Sequence, residues 1–105
     1  ATAEKLAMGF YLDGKATAVV GTHTHVQTAD EKVLPGGTAY ITDLGMTGPD
    51  LSVLGVRPEA SISWLKTGLP TRFEISDGAC MMCGAIIDVD EKTGKSRSIE
   101  RICVR

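Results

Sequence analysis

The chain has 105 residues, 43% of them hydrophobic and only 5% aromatic, which is the length of one small domain whose core must rest on Val, Ile, Leu, Met and Ala. A net charge of −2, with acids and bases interspersed, gives no electrostatic support for gripping a nucleic-acid backbone. No apolar run approaches the roughly 20 residues of a membrane span, and no basic segment followed by an apolar one marks a signal peptide, so no membrane partner is expected and the cytoplasm is the expected location.

Ala1 to Leu12 is rich in helix formers, with Thr2 as the expected N-cap and Asp13-Gly14 as the stop, Gly14 taking the left-handed position after the helix. The apolar run Ala18-Val19-Val20 lies within a strand expected from Ala16 to Gly21. A helix leading directly into a buried strand is half of an α/β unit. Pro35-Gly36-Gly37 is a turn, and Thr38 to Thr42 reads as the next strand. The Gly-rich segment from Asp43 to Asp50 lacks the Lys-Ser/Thr ending of a nucleotide P-loop and reads as a loop. Pro58 suits the first turn of a second helix, Glu59 to Lys66, which Gly68 and Pro70 end. Thr71 to Ser76 alternates polar and apolar residues as a half-buried strand does. Ala79 to Val89 and Ser96 to Val104, joined by Asp90 to Lys95, complete an expected antiparallel β-meander.

Both histidines fall in Gly21-Thr22-His23-Thr24-His25, directly after the first strand. Ligand-binding groups of α/β proteins gather at such strand ends. If the segment stays extended, side chains at i and i+2 share one side, so His23 and His25 would present two imidazoles, the commonest transition-metal ligands, to one point. Two ligands do not complete a site: a structural zinc needs four and a catalytic one three plus water. Asp43, at the end of the second strand, is the best further candidate, either orienting a metal-bound histidine or capping its own loop. Thr22, Thr24, Gln27 and Thr28 are placed to bond a phosphate or water, or equally to satisfy loop backbone. Thr47-Gly48 is expected at the same mouth.

Three cysteines, an odd number, argue against a disulfide framework. Cys80-Met81-Met82-Cys83 has Cys-x-x-Cys spacing, but in a strand its two thiols face opposite sides. Cys80, Cys83 and Cys103 are therefore read as buried or half-buried small apolar residues.

Gly21-Thr22-His23-Thr24-His25 resembles the closing Gly-His-x-His-type motif of calcineurin-like dimetal phosphoesterases. Glu4 to Lys15, Val19 to Glu31 and Ala39 to Pro49 resemble its bacterial YmdB-like subfamily. The resemblance covers essentially the whole chain, but only the family's C-terminal part. It implies an α/β fold in which residues 1–105 are the C-terminal portion of one four-layer α/β/β/α sandwich domain, ending in the meander. It implies two metal ions, Fe or Mn, holding a bridging hydroxide, with His23 on one ion and His25 on the other. The expected substrate is a small phosphodiester, 2′,3′-cyclic nucleotides above all, with Thr24, Thr28, Asp43 and Thr47 lining its site. Nucleic acid is expected only as a source of that substrate, and a homo-oligomer is compatible with the pattern. The family's remaining metal ligands have no counterpart here, so these residues alone are expected to be inactive. The Cys- and Met-bearing segment Gly78 to Gly84 departs from the family pattern. Two other readings stand beside the enzyme: a non-catalytic regulatory or binding module, and a small zinc-stabilised protein using Cys80, Cys83 and the histidines.

Overall fold

A computed structural model describes all residues from Ala1 to Arg105. Helix α1 spans Thr2–Leu12, so Thr2 lies inside it and Ala1 takes the N-cap position without a side-chain cap, correcting the expected start. Two amides, of Lys15 and Ala16, fold back onto the Leu12 carbonyl, and Gly14 follows at φ +84°. Strands β1 (Ala18–Val20), β2 (Lys32–Val33) and β3 (Ala39–Ile41) form one sheet in the order β1-β3-β2. β1 runs parallel to β3, and β2 antiparallel to it. The Pro35-Gly36-Gly37 turn closes through a bond from the Gly37 amide to the Leu34 carbonyl.

The second sheet is β4-β5-β6, all antiparallel, from Thr47–Pro49, Cys80–Val89 and Ser96–Val104. The meander is therefore present, but its first strand is not the expected one. Residues 71–76 contribute only a single bridge, between Val56 and Ile75, and the Gly-rich stretch supplies the edge strand instead. The polar and apolar alternation of 71–76 had no layer to alternate against: Phe73 and Ile75 are both exposed. Pro49 fits an edge, where its missing N–H leaves no ladder bond unmade. Helix α2 (Pro58–Thr67) connects β4 to β5, begins with Pro in its first turn and ends at Gly68 in the left-handed conformation. Trp64 on it meets Phe73 edge-on, with ring centroids 5.9 Å apart.

Burial is concentrated in β3. Ala39, Tyr40 and Ile41 are all at most 1% exposed, because β3 is flanked by strands on both edges and covered on both faces. Tyr40 meets α1 at Gly9, where an added Cβ would stand 2.8 Å from the ring. Alternation puts Ala39 and Ile41 on the opposite face, where β6 packs across β2 and β3. The result is a layer of α1, then the first sheet, then the second. A fourth, helical layer is not seen, and α2 stands at the periphery with no buried residue. The molecule is elongated, with a radius of gyration of 17.2 Å against about 13 Å for a compact domain of this length. No helix is long and apolar enough to cross a membrane.

Gly21 sits where β1 meets β3. Its amide donates to the Ile41 carbonyl and its own carbonyl accepts from Leu44. A Cβ there would lie 2.2 Å from the Thr42 carbonyl oxygen, which is backbone and cannot rotate away. Gly21→Ala is expected to cost about 2–3 kcal/mol, the upper range for overpacking, as a lowered denaturant midpoint. Gly78→Ala, with nothing within 4 Å, should stay within about 0.5 kcal/mol of the parent. Equal midpoints for the two variants would contradict this account of the β1–β3 junction.

Candidate functional site

The chain leaves β1 at Gly21 and turns through a bend over His23 to Val26 rather than staying extended. His25 takes φ +65°, a left-handed conformation uncommon for a residue with a side chain. The segment is therefore not extended, and strand alternation does not set the two imidazoles on a shared side; both lie on a folded loop. Both histidines are exposed, and neither ring hydrogen-bonds within the chain, since every side-chain bond of this loop belongs to its neighbours.

Asp43 holds the bend. It is fully buried at the end of β3. One carboxylate oxygen accepts from the Thr24 amide and the Thr24 hydroxyl, each at 2.7 Å, and the other accepts from the Gly45 amide at 2.9 Å. Lys5 reaches from α1, with its ammonium 4.0 Å from that carboxylate and bonded to the carbonyls of Thr22 and Thr42. Burial by itself would raise the Asp43 carboxyl. The Thr24 hydroxyl, the Gly45 and Thr24 amides and the Lys5 charge outweigh burial and hold it below its ordinary 3.8. The residue between the two histidines is thus anchored by a buried charge.

A second, half-buried carboxylate is satisfied in the same way nearby. Asp30 accepts from the Thr28 hydroxyl at 2.7 Å, the Thr42 amide at 3.1 Å and the Thr42 hydroxyl. Having given its only proton to Asp30, Thr42 can only accept from the Tyr40 hydroxyl, 2.9 Å away. Burial raises the Asp30 carboxyl, but the Thr42 and Thr28 hydroxyls, with the Thr42 amide, bring it below its usual value. Thr28 also accepts from the Asp43 amide, joining the two clusters. Gln27 crosses to the second sheet and donates to the carbonyls of Gly84 and Ile102, 3.1 and 2.9 Å away.

The expected site residues therefore separate. Thr24 and Thr28 bond Asp43 and Asp30 through their hydroxyls, and the fully buried Asp43 anchors the loop, so all three position the bend. Thr47 is on β4, not in a loop; it is exposed and lines a hollow of about 370 Å³ together with His25, Met46 and Gly48. His25 also borders a cleft of about 440 Å³ whose walls include Gln27, Met46, Asp50, Cys83, Cys103 and Arg105. Sequence reasoning passed over this cleft, because its walls join residues from opposite ends of the chain. Lys5 was equally missed: in the sequence it is one more charge on a helix. Cys80 and Cys103 are exposed and only Cys83 is half-buried, which corrects the reading of all three as covered residues. No three His, Cys, Asp or Glu side chains gather to hold a metal ion, so the zinc arrangement of Cys80, Cys83 and the histidines is not assembled.

The model of one protein family, described as YmdB-like protein, matches residues 1–102. The chain belongs to this YmdB-like family. It is 57% identical over 104 residues to the 2′,3′-cyclic-nucleotide 2′-phosphodiesterase of Bacillus subtilis (strain 168), a match covering 99% of this chain and 39% of that protein. A crystal structure from Mycoplasma pneumoniae, described as a novel phosphatase, superimposes with a TM-score of 0.92 at 42% identity, covering 99% of this chain and 37% of that one. A hypothetical protein from Thermus thermophilus gives a TM-score of 0.90 at 40% identity, covering 98% and 40%. The chain thus spans about two fifths of the length of these relatives.

Because Asp43 and Asp30 are held below their ordinary values in the folded state, the unfolded chain binds protons first as the pH falls. Their contribution is complete above about pH 4 and is lost as the pH drops through their lowered folded values. Thermal melts of the parent should fall steeply below about pH 4, and those of Asp43→Asn less steeply. At pH 7, Asp43→Asn turns an amide NH₂ toward either the Thr24 or the Gly45 donor and should cost about 1–3 kcal/mol. Parallel melting profiles for the two proteins would rule out Asp43 as the anchor.

Proposed function

We propose that these residues form the histidine-loop portion of a dinuclear-metal phosphodiesterase acting on 2′,3′-cyclic nucleotides or similar phosphodiesters. The observation that carries the reading is the bend itself: two imidazoles with no partner in the chain, flanking a threonine anchored to a buried carboxylate. The relationship to the Bacillus subtilis phosphodiesterase supports the reaction class and the substrate.

The donor chemistry fits such a centre in part. His23 would hold one ion and His25 the other, with Fe or Mn as the expected metals. Neutral imidazole suits both. Because no third ligating side chain gathers here, the set needs donors beyond residues 1–105. The apolar side chains exposed on α1 and α2, among them Phe10, Tyr11, Ile62, Trp64 and Leu65, support the same view. They are the kind of surface that further layers of an α/β/β/α sandwich would cover. When bound, a metal pair supplies activation of water and neutralisation of charge at phosphorus.

The chain's own residues have separate tasks in this reading. Asp43, through Thr24, fixes the direction of the loop, and Lys5 ties the loop to α1. Thr47 keeps its hydroxyl free at the rim of the hollow beside His25, where it can donate to a phosphoryl oxygen. Gln27 fixes the distance from the loop to the second sheet, which forms the facing wall.

The test uses a protein carrying these residues together with the segments its relatives have, assayed for hydrolysis of 2′,3′-cyclic AMP and for metal by elemental mass spectrometry. His23→Ala and His25→Ala should each lower metal content and reduce kcat/KM by more than the roughly 10–100-fold typical of outer-sphere changes, and Asp43→Asn by about that range. Unchanged turnover and metal in the double histidine variant would overturn the reading. Residues 1–105 alone should give no turnover and less than stoichiometric metal; one tightly held zinc there would favour a self-contained zinc protein.

A further inference from the structure

The cleft beside His25 has a wall made by two thiols. Cys83 on β5 stands opposite Cys103 on β6 in the strand register, and their sulfurs are 3.4 Å apart. The Cys83 amide donates to the Met46 carbonyl, on the β4 side. In an antiparallel ladder a residue's N–H and C=O point to the same neighbour, so Cys83 turns both away from β6. Gln27 confirms the alternation: reaching the Gly84 and Ile102 carbonyls together requires that those two point toward each other. Cys83 and Cys103 are therefore a non-hydrogen-bonded pair, the kind whose Cα atoms approach to about 4.5 Å. That separation lies within the roughly 4.4–6.8 Å a disulfide spans. Cys80 has no such partner, because Pro49 stands opposite it on β4.

We propose that Cys83 and Cys103 are a reversible oxidation site, converted by hydrogen peroxide into a cross-strand disulfide in the wall of the cleft. Cys103 is the more exposed thiol and reacts first. The Cys103 thiol gives up its proton and its sulfur attacks the peroxide O–O bond, which breaks; one oxygen stays on sulfur as a sulfenic acid and the other leaves as hydroxide, which takes up that proton as water. Burial, with the neighbouring Cys103 sulfur, pushes the Cys83 thiol up, so it remains protonated and donates toward Cys103. The Cys83 sulfur then attacks the Cys103 sulfenic sulfur. The S–S bond forms, the S–O bond breaks, and the departing hydroxide takes the Cys83 proton as a second water. Two thiols and one peroxide give one disulfide and two waters, and a dithiol such as dithiothreitol reverses the change. Neither metal binding nor phosphodiesterase activity is required for this chemistry.

Peptide mass spectrometry decides it. The protein is treated with hydrogen peroxide, free thiols are alkylated, and trypsin is added without reductant. Cys80 and Cys83 share the tryptic peptide of residues 73–92, and Cys103 lies in residues 102–105, so the parent is run beside Cys80→Ser. A linked pair of these peptides within one monomer is expected in both, absent in Cys83→Ser and Cys103→Ser, and lost on adding dithiothreitol. A link that disappears in Cys80→Ser would overturn the assignment. So would cross-linking only between molecules, or Cys103 oxidised to sulfinic acid with Cys83 still alkylated. The parent and Cys80→Ser results suffice even if either of the other two variants fails to fold.

Discussion

A carboxylate with no solvent contact lies beneath the histidine bend, and the local structure is arranged to keep it charged. Moving an ion out of water is costly unless hydrogen bonds and an opposite charge replace the lost solvation. Asp43 receives two amides, one hydroxyl and the approach of Lys5. These donors come from three elements: the bend after β1, the loop after β3, and α1. The requirement to satisfy one charge therefore fixes three parts of the chain relative to one another, and the histidines occupy the segment that results.

The same device recurs wherever the layers meet. Asp30 with Thr28 and Thr42 secures the segment that returns to β2, and Asp13 accepts the amides of Gly36 and Thr38 to hold the β2–β3 turn against the end of α1. Ser96 donates to the Thr17 carbonyl and its amide bonds Gly37, docking the β5–β6 hairpin onto the first sheet. Single hydrogen bonds of this kind are worth only about 1 kcal/mol net. Their value here is positional, because a core centred on three residues of β3 cannot by itself dictate how loops sit. The consequence is an uneven molecule: an interlocked part around β3, and a peripheral part around α2 that exposed ion pairs of Arg57 with Glu74 and Asp77 close on itself and that meets the second sheet where the Asp50 amide donates to the Ala79 carbonyl.

His25 stands where the anchored bend and the cleft meet. On one side it belongs to the bend; on the other it borders the cleft whose far wall carries Cys83, Cys103 and Arg105. Arg105 is held against Asp50 at 2.8 Å, and that bond, with the Asp50 charge, raises the guanidinium further. The bend lies in one of the segments that resemble the YmdB-like pattern, whereas the thiols lie in and opposite the Gly78 to Gly84 segment, so the cleft joins the histidine loop to the second sheet.

The sequence by itself determined the elements whose signals are local. Helix α1, the Pro58 start and Gly68 end of α2, the run leading into β1, and the hairpin over Asp90 to Lys95 all depend on spacing, caps and turn residues within a few positions, and they appear near the expected bounds. The histidine pair was legible for the same reason, as two imidazoles beside a glycine at a strand end. Tertiary structure alone decided the rest. Residues 71–76 had strand alternation but no neighbouring strand to complete a ladder, whereas Thr47–Pro49, read as a loop from its glycine and proline, found an open edge on β5. The bond from the Gly45 amide to Asp43 is the loop cap that was legible in the sequence, but Lys5 and Thr24 reach the same carboxylate only after folding and make it an anchor for three elements. The Cys83–Cys103 pair, twenty residues apart, is set by strand register, and register arises from which faces are buried and where the turn falls, not from either cysteine's own surroundings in sequence.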